Sequence, residues 1–109
     1  MLLLITTKAD EKILKRVAED LDGYIKVVVD VEKKVLAAGG LKHVEGEQLL
    51  LKEGSKQQNL WGAGLDLETG EIDFDSMINL RPNQGNSSRE ILSEASRKQV
   101  EGAIRSLLK

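Results

Sequence analysis

The sequence contains no cysteine, a single proline and only three aromatic residues among its 109. Without cysteine, the chain has no disulfide, no thiolate metal ligand and no thiol nucleophile. The three aromatic residues, Tyr24, Trp61 and Phe74, are too few for a surface that stacks nucleic-acid bases. The absences therefore exclude thiol chemistry, argue against single-stranded nucleic acid as a partner, and predict an aliphatic core.

A surplus of basic residues is also missing, since 16 lysines and arginines face 18 aspartates and glutamates for a net charge of −2. Nucleic acid and anionic membranes both attract proteins with excess positive charge. No apolar run approaches the roughly 20 residues of a membrane span. The apolar residues 2–5 are too few for a signal sequence. We therefore expect a soluble, cytoplasmic protein that binds no membrane, and the charge argues against nucleic acid as a partner.

The length is typical of one domain, and residues 1–109 are predicted to form a single domain of the α+β class. Apolar periodicity gives the order β-α-β-β-(α)-β-β-α, which favours a mainly antiparallel sheet with helices packed on it. The predicted segments are a strand at 2–5, a helix at 8–21, strands at 24–31 and 35–38, a hairpin with arms at 61–67 and 72–80, and a final helix that begins at Ser87 or Ser93. Residues 43–52 fit a buried strand or a short helix, and Gly54 at their end favours the helix.

Three segments are more specific than a scaffold requires, namely 54–62 (GSKQQNLWG), 75–82 (DSMINLRP), and Gly85-Asn86 with 89–91. Together with 29–32 (VDVE) and His43, they resemble a family of small uncharacterised prokaryotic proteins known only as a domain of unknown function. The resemblance extends over most of the chain. It implies a single compact domain and brings no activity, cofactor or catalytic residue with it.

The loop from Arg81 to Arg89 is the best candidate for binding an anion. Its glycine, asparagine and serine residues permit turns that aim backbone N–H groups at one point, next to a helix start. The two guanidiniums add bidentate contacts with phosphate or carboxylate. The predicted ligand-binding residues of the loop are Arg81, Asn83, Gly85, Asn86, Ser87, Ser88 and Arg89. Loops of this composition more often serve only as turns, with their arginines in structural hydrogen bonds.

His43 is the only histidine, and in a helical 43–52 segment it lies one turn from Glu47. A histidine–carboxylate pair suits acid–base catalysis near neutral pH. With Arg81 and Arg89 on the oxyanion and His43 as the base, hydrolysis of a phosphate ester becomes a hypothesis. A capping or surface histidine is the more common arrangement, and no second histidine is present to act as the acid.

Five acidic residues and no basic one occur between positions 66 and 75, and parity places all five on the outward face: Asp66, Glu68, Glu71, Asp73 and Asp75. Carboxylate oxygens suit Mg²⁺ and Ca²⁺, but the spacing is not that of an EF-hand loop. A charged face that discourages edge-to-edge strand pairing explains the cluster more simply. No metal site and no cofactor is therefore predicted.

Trp61 opens a predicted strand beside Gly62 and Gly64, which leave bare backbone next to a large ring. This arrangement fits a ligand shelf or a dimer anchor, although a tryptophan at an inward position more often belongs to the core. Two functions fit the sequence. One is an anion- or small-ligand-binding domain, with or without activity on a phosphorylated or carboxylate substrate. The other is a non-catalytic interaction module that forms a homodimer through a free strand edge or the Trp61 region.

Overall fold

The computed structural model describes residues 1–109 as a five-stranded antiparallel sheet with three α-helices, which confirms the predicted α+β class. The strands are β1 (Leu3–Ile5), β2 (Tyr24–Asp30), β3 (Val35–Ala38), β4 (Leu60–Asp66) and β5 (Ile72–Asp73). The helices are α1 (Glu11–Ala18), α2 (His43–Lys52) and α3 (Glu94–Leu107). Short 3₁₀ turns occupy Glu19–Leu21, Gln57–Asn59, Met77–Asn79 and Pro82–Gln84. No helix has the length and apolar character that crossing a membrane requires.

The sheet has the spatial order β1-β3-β2-β4-β5, so the β-branched strand β2 lies at its centre, as predicted. All neighbouring strands are antiparallel. The register places Lys26 of β2 opposite Gly64 of β4, and Gly64 opposite Asp73 of β5. Because directly opposite residues point to the same face, these three positions form one row across three strands.

Alternation along the strands divides the sheet into two faces. One face carries Ile25, Val27 and Val29 of β2 and packs against α1 and α3 in the main hydrophobic cluster. The other face carries Val28, which packs with Leu50 of α2 in a smaller cluster. Two helices therefore cover the first face, whereas α2 is the only α-helix on the second.

Two helix predictions are confirmed in their main point. The segment His43–Lys52 is helical, and Gly54 follows it with φ +97°, the left-handed conformation that ends many helices. Helix α3 begins after Ser93, whose hydroxyl accepts a hydrogen bond from the Ser96 N–H at 3.2 Å. The chain thus uses the Ser93 start rather than the alternative at Ser87.

The prediction that the first helix begins at residue 8 is wrong by three residues. Asp10 is the capping residue, because its Oδ1 accepts a hydrogen bond from the Ile13 N–H at 2.9 Å. The regular helix therefore begins at Glu11, and a 3₁₀ turn continues the chain after its end. Gly23, with φ +99°, then turns the chain into β2, as predicted.

The second arm of the long hairpin is not the strand predicted at 72–80. Strand β5 has two residues, and Ser76 then caps the 3₁₀ turn Met77–Asn79. The side chain of Asn79 accepts a hydrogen bond from the Gly62 N–H at 2.8 Å and donates one to the Gly62 carbonyl at 2.9 Å. An asparagine side chain thus forms the hydrogen bonds with the β4 backbone that the backbone of a longer β5 was expected to form.

Candidate functional site

The largest cleft of the structure, about 580 Å³, lies on the face of the sheet that α2 covers. The first turn of α2 forms one wall, and the segment around the 3₁₀ turn Met77–Asn79 forms the opposite wall. Side chains of β2 and β5 form its base, and Arg89 and Glu90 complete the lining. The cleft therefore collects side chains from four separate segments of the chain, since β5 and the 3₁₀ turn belong to one of them.

Two glycines of β4 keep the base of the cleft open. A Cβ atom at Gly64 would overlap the Tyr24 hydroxyl and lie 2.6 Å from Asp73 Oδ2. Because Gly64 has no side chain, Tyr24 reaches across it and donates its hydroxyl proton to Asp73 at 2.6 Å. Burial and the neighbouring carboxylate raise the pKa of Tyr24, so the phenol stays protonated. Gly62 makes similar room for Ser76, whose Cβ would lie 2.5 Å from an added methyl.

His43 occupies the first position of α2, and its Nε2 lies 2.7 Å from the carbonyl oxygen of Ala63 in β4. A carbonyl oxygen only accepts hydrogen bonds, so Nε2 must carry the proton. Burial lowers the pKa of His43 despite the opposing effect of the bond to Ala63. The neutral ring therefore keeps its lone pair on Nδ1, which makes no hydrogen bond within the chain.

The lining of the cleft carries three basic and three acidic side chains, and its two lysines are the only ones of the six without a partner within the chain. Its three carboxylates are all bonded within the chain, Asp73 to the Tyr24 hydroxyl, Asp75 to Arg89 at 3.1 Å and Glu90 to Arg97 at 2.9 Å. The ammonium groups of Lys26 and Lys42 make no salt bridge. When the Asp75–Arg89 and Glu90–Arg97 pairs are set aside, the two lysines and the carboxylate of Asp73 remain. Asp73 accepts a hydrogen bond from the neutral Tyr24 phenol, whereas the lysines have no partner.

The structure brings His43 and Arg89 to this cleft, whereas Glu47 and Arg81 lie outside it. Glu47 is buried one turn further along α2, where its carboxylate is 3.4 Å from the side-chain amide of Gln57. The four side chains of the phosphoesterase hypothesis therefore do not converge on one pocket. The helical spacing of His43 and Glu47 is as predicted, but their side chains contact different groups.

Arg81 is a buried residue that ties β4 to the segment before it. Its guanidinium donates to the carbonyl of Gln57 at 2.6 Å and to that of Leu60, and it lies 4.2 Å from the centre of the Trp61 ring. Burial lowers the pKa of Arg81. Trp61 itself is 8% exposed and belongs to the main core cluster. Its ring lies on the opposite face of the sheet from the cleft, so the two β4 glycines do not form a shelf beside it.

The polar groups of the loop at 83–88 form hydrogen bonds within and around the loop, and none of its residues lines the cleft. The N–H groups of Gln84, Gly85 and Asn86 donate to the carbonyls of Arg81 or Pro82. The buried Asn86 side chain joins the loop to its surroundings through four hydrogen bonds, to the carbonyls of Asn79, Ser88 and Glu90 and from the N–H of Leu92. Asn83 and Ser87 are exposed, and the Ser88 hydroxyl accepts from the Glu90 N–H at 3.0 Å. The loop is thus a hydrogen-bonded support for the segment that carries Arg89.

Parity predicted that the acidic residues of the hairpin share one outward face, and this prediction is wrong. Asp66 accepts hydrogen bonds from the N–H groups of Glu68 and Thr69 in the turn. Asp73 and Asp75 line the cleft instead. No group of three or more histidine, aspartate or glutamate side chains is arranged to hold a metal ion.

Three cleft residues, Tyr24, Lys26 and Lys42, match no local motif in the sequence. One signal points to them. Gly62 and Gly64 interrupt a strand at alternate positions, and glycine inside a strand often marks a close approach of other groups. Side chains alternate along a strand, so positions 62 and 64 face away from the Trp61 ring. The close approach therefore occurs on the face of the sheet opposite that ring.

A family model described as a protein of unknown function, DUF5674, matches residues 3–107. The chain belongs to the DUF5674 family. This confirms the resemblance to a domain of unknown function. The match includes the whole sheet, all three helices and every cleft residue. No curated protein and no solved structure matches the chain.

The lowered pKa of His43 predicts a pH dependence of stability for this DUF5674 protein. In the unfolded chain the ring takes up a proton near pH 6.5, whereas in the folded protein it does so only at lower pH. The unfolded state therefore binds more protons below pH 6.5, and the free energy of unfolding falls as the pH is lowered through that value. We expect urea unfolding at pH 7.5 and 5.5 to show a larger loss for the natural protein than for His43→Gln. Equal losses in the two proteins would contradict the prediction.

Proposed function

We propose that the cleft between α2 and the 3₁₀ turn binds a small ligand through an anionic group, a phosphate or a carboxylate. The observation that carries the proposal is the pairing of the charged groups in the cleft. Its lysines have no partner within the chain, whereas its carboxylates are all bonded. A volume of about 580 Å³ lies within the usual range of small-ligand pockets.

Each cleft residue has a distinct role in this proposal. Lys26 is half-buried on the central strand and supplies charge at the base, while the more exposed Lys42 supplies it at the start of α2. The unused Nδ1 of His43 accepts a hydrogen bond from a ligand hydroxyl or amine. The Tyr24–Asp73 pair fixes the shape of the base rather than contacting the anion.

A reaction on the bound ligand would depend on His43, because Glu47 is outside the cleft. The neutral ring with a free Nδ1 is in the protonation state of a general base. The proposal is therefore binding of a phosphorylated or carboxylate compound, with His43 as the one candidate for acid–base chemistry upon it.

Titration with inorganic phosphate tests the proposal. At constant ionic strength and pH 7.5, we expect amide chemical shifts of Lys26, Lys42 and His43 to move with a common dissociation constant. Lys26→Gln is expected to weaken binding about tenfold, because it removes one charge-assisted hydrogen bond. Lys12→Gln on the exposed side of α1 is the matched control, with the same charge change on the other face of the sheet. Equal affinities of the two variants would refute binding at the cleft.

The homodimer is a second proposal, and the free edge of β1 supports it. This strand pairs only with β3, so one of its sides has no neighbouring strand. The apolar residues 2–5 place no charge on that edge, and charges are a common protection against strand pairing. Sedimentation velocity over a range of concentrations tests it. A single species at the monomer mass would reject the dimer, whereas a concentration-dependent species at twice that mass would support it.

A further inference from the structure

We propose that the natural ligand is an organic anion with an apolar portion, in which the charged group reaches the lysine at the base and the apolar portion lies at the mouth. This inference rests on the proposed anion-binding function and specifies the ligand class. It concerns a part of the cleft that an inorganic ion would leave empty.

The mouth of the cleft carries apolar side chains on both walls. Val44 on the first turn of α2 is 42% exposed, and Met77 on the opposite 3₁₀ turn is 62% exposed. Ile78 lies beside Met77 and also lines the cleft. Exposed apolar side chains are ordinary when scattered, but here two face the same opening from opposite sides. A ligand with a hydrocarbon segment would remove both from water.

Lys26 lies deeper in the cleft than the apolar side chains of its walls, whereas four other charged side chains of the lining are exposed beside them. Lys26 projects from the central strand and is half-buried, while Val44 and Met77 are the more exposed side chains of the walls. A five-atom oxyanion on Lys26 would displace only a few waters from a space of about 580 Å³. The remaining volume, with Val44 and Met77 on opposite walls, matches a chain or ring attached to the anion.

Calorimetric titration with methylphosphonate and hexylphosphonate tests the inference, since the two probes share a headgroup and differ only in hydrocarbon. The longer probe is used below the concentration at which it self-associates. We expect it to bind about tenfold more tightly, because partial burial of five added methylenes favours binding. Met77→Ser is expected to reduce this preference about threefold and to leave methylphosphonate binding unchanged. Leu92→Ser, 54% exposed but outside the cleft, is the matched control and is expected to change neither.

The outcomes distinguish failure of the inference alone from failure of the function on which it rests. Equal affinities for the two probes would overturn the inference and leave anion binding intact. A hexyl preference that Met77→Ser does not reduce would place the hydrocarbon elsewhere and overturn it too. Binding of neither probe would overturn both proposals. A preference that Met77→Ser reduces, with Lys26→Gln weakening both probes equally, supports the inference.

Discussion

Asn79→Ala is expected to lower the free energy of unfolding by about 4 kcal/mol, a large part of the stability of a chain of this size. Asn79 is fully buried, and its side chain makes four hydrogen bonds to the backbone. They join Gly62 of β4 to the carbonyls of Phe74 and Arg89. Alanine leaves the N–H and the carbonyl of Gly62 unsatisfied, and each unsatisfied buried group costs about 1–3 kcal/mol. The other two carbonyls lose this donor but still accept from backbone N–H groups. Urea unfolding followed by far-ultraviolet circular dichroism measures the difference.

Two further variants show whether the loss comes from hydrogen bonding. Asn83→Ala removes the same group from an exposed loop position and is expected to change stability by less than about 0.5 kcal/mol. Asn79→Asp keeps the acceptor for the Gly62 N–H but directs a carboxylate at three carbonyl oxygens. We expect it to be at least as destabilising as alanine at neutral pH. A loss below about 1 kcal/mol for Asn79→Ala would show that the backbone groups find other partners.

Asn79 also explains why the sequence misleads over residues 74–80. Apolar and polar residues alternate there as they do in β4, so the local pattern predicts a long second arm. The alternation is real, but the chain leaves the sheet because a buried asparagine provides the hydrogen bonds that a continued strand would have made. Nothing in the local pattern distinguishes such an asparagine from one on the polar face of a strand. The strand β2 was predictable for the opposite reason, because its own β-branched side chains favour a strand.

The candidate site was predictable only in part, because it depends on strand register. His43 stands out as the only histidine, and Arg89 as a charged residue in a turn-rich segment. Lys26 and Asp73 are 47 positions apart and meet only because the register aligns both with Gly64. Arg81 flanks the same turn-rich loop as Arg89, yet its guanidinium is buried and donates hydrogen bonds to backbone carbonyls. Composition identifies the types of residue that such a site can use. The pairing of the strands determines which residues of those types come together.

Gly64→Ala is expected to abolish phosphate binding at the cleft and to lower the free energy of unfolding by about 3 kcal/mol. The added methyl would occupy the space through which Tyr24 reaches Asp73. The phenol must then move into the cleft or break its hydrogen bond, and overpacking of this kind typically costs about 1–3 kcal/mol. Gly102→Ala is the matched control, since a methyl there meets no atom within 4 Å on an exposed turn of α3. That change is expected to stabilise the protein by up to about 1 kcal/mol, because alanine favours helix over glycine.

The opposite signs expected for the two glycine substitutions separate local crowding from a general effect of alanine. A double-mutant cycle with Tyr24→Ala then identifies the group that is displaced. If the clash with the phenol dominates, Gly64→Ala costs less stability in the Tyr24→Ala background, and the coupling reveals the contact directly. Unchanged phosphate affinity in a folded Gly64→Ala protein would show that the anion does not bind over this row of the sheet. If Gly64→Ala loses phosphate affinity but little stability, the glycine is required for the site more than for the fold. That result would also place the bound anion beside Lys26.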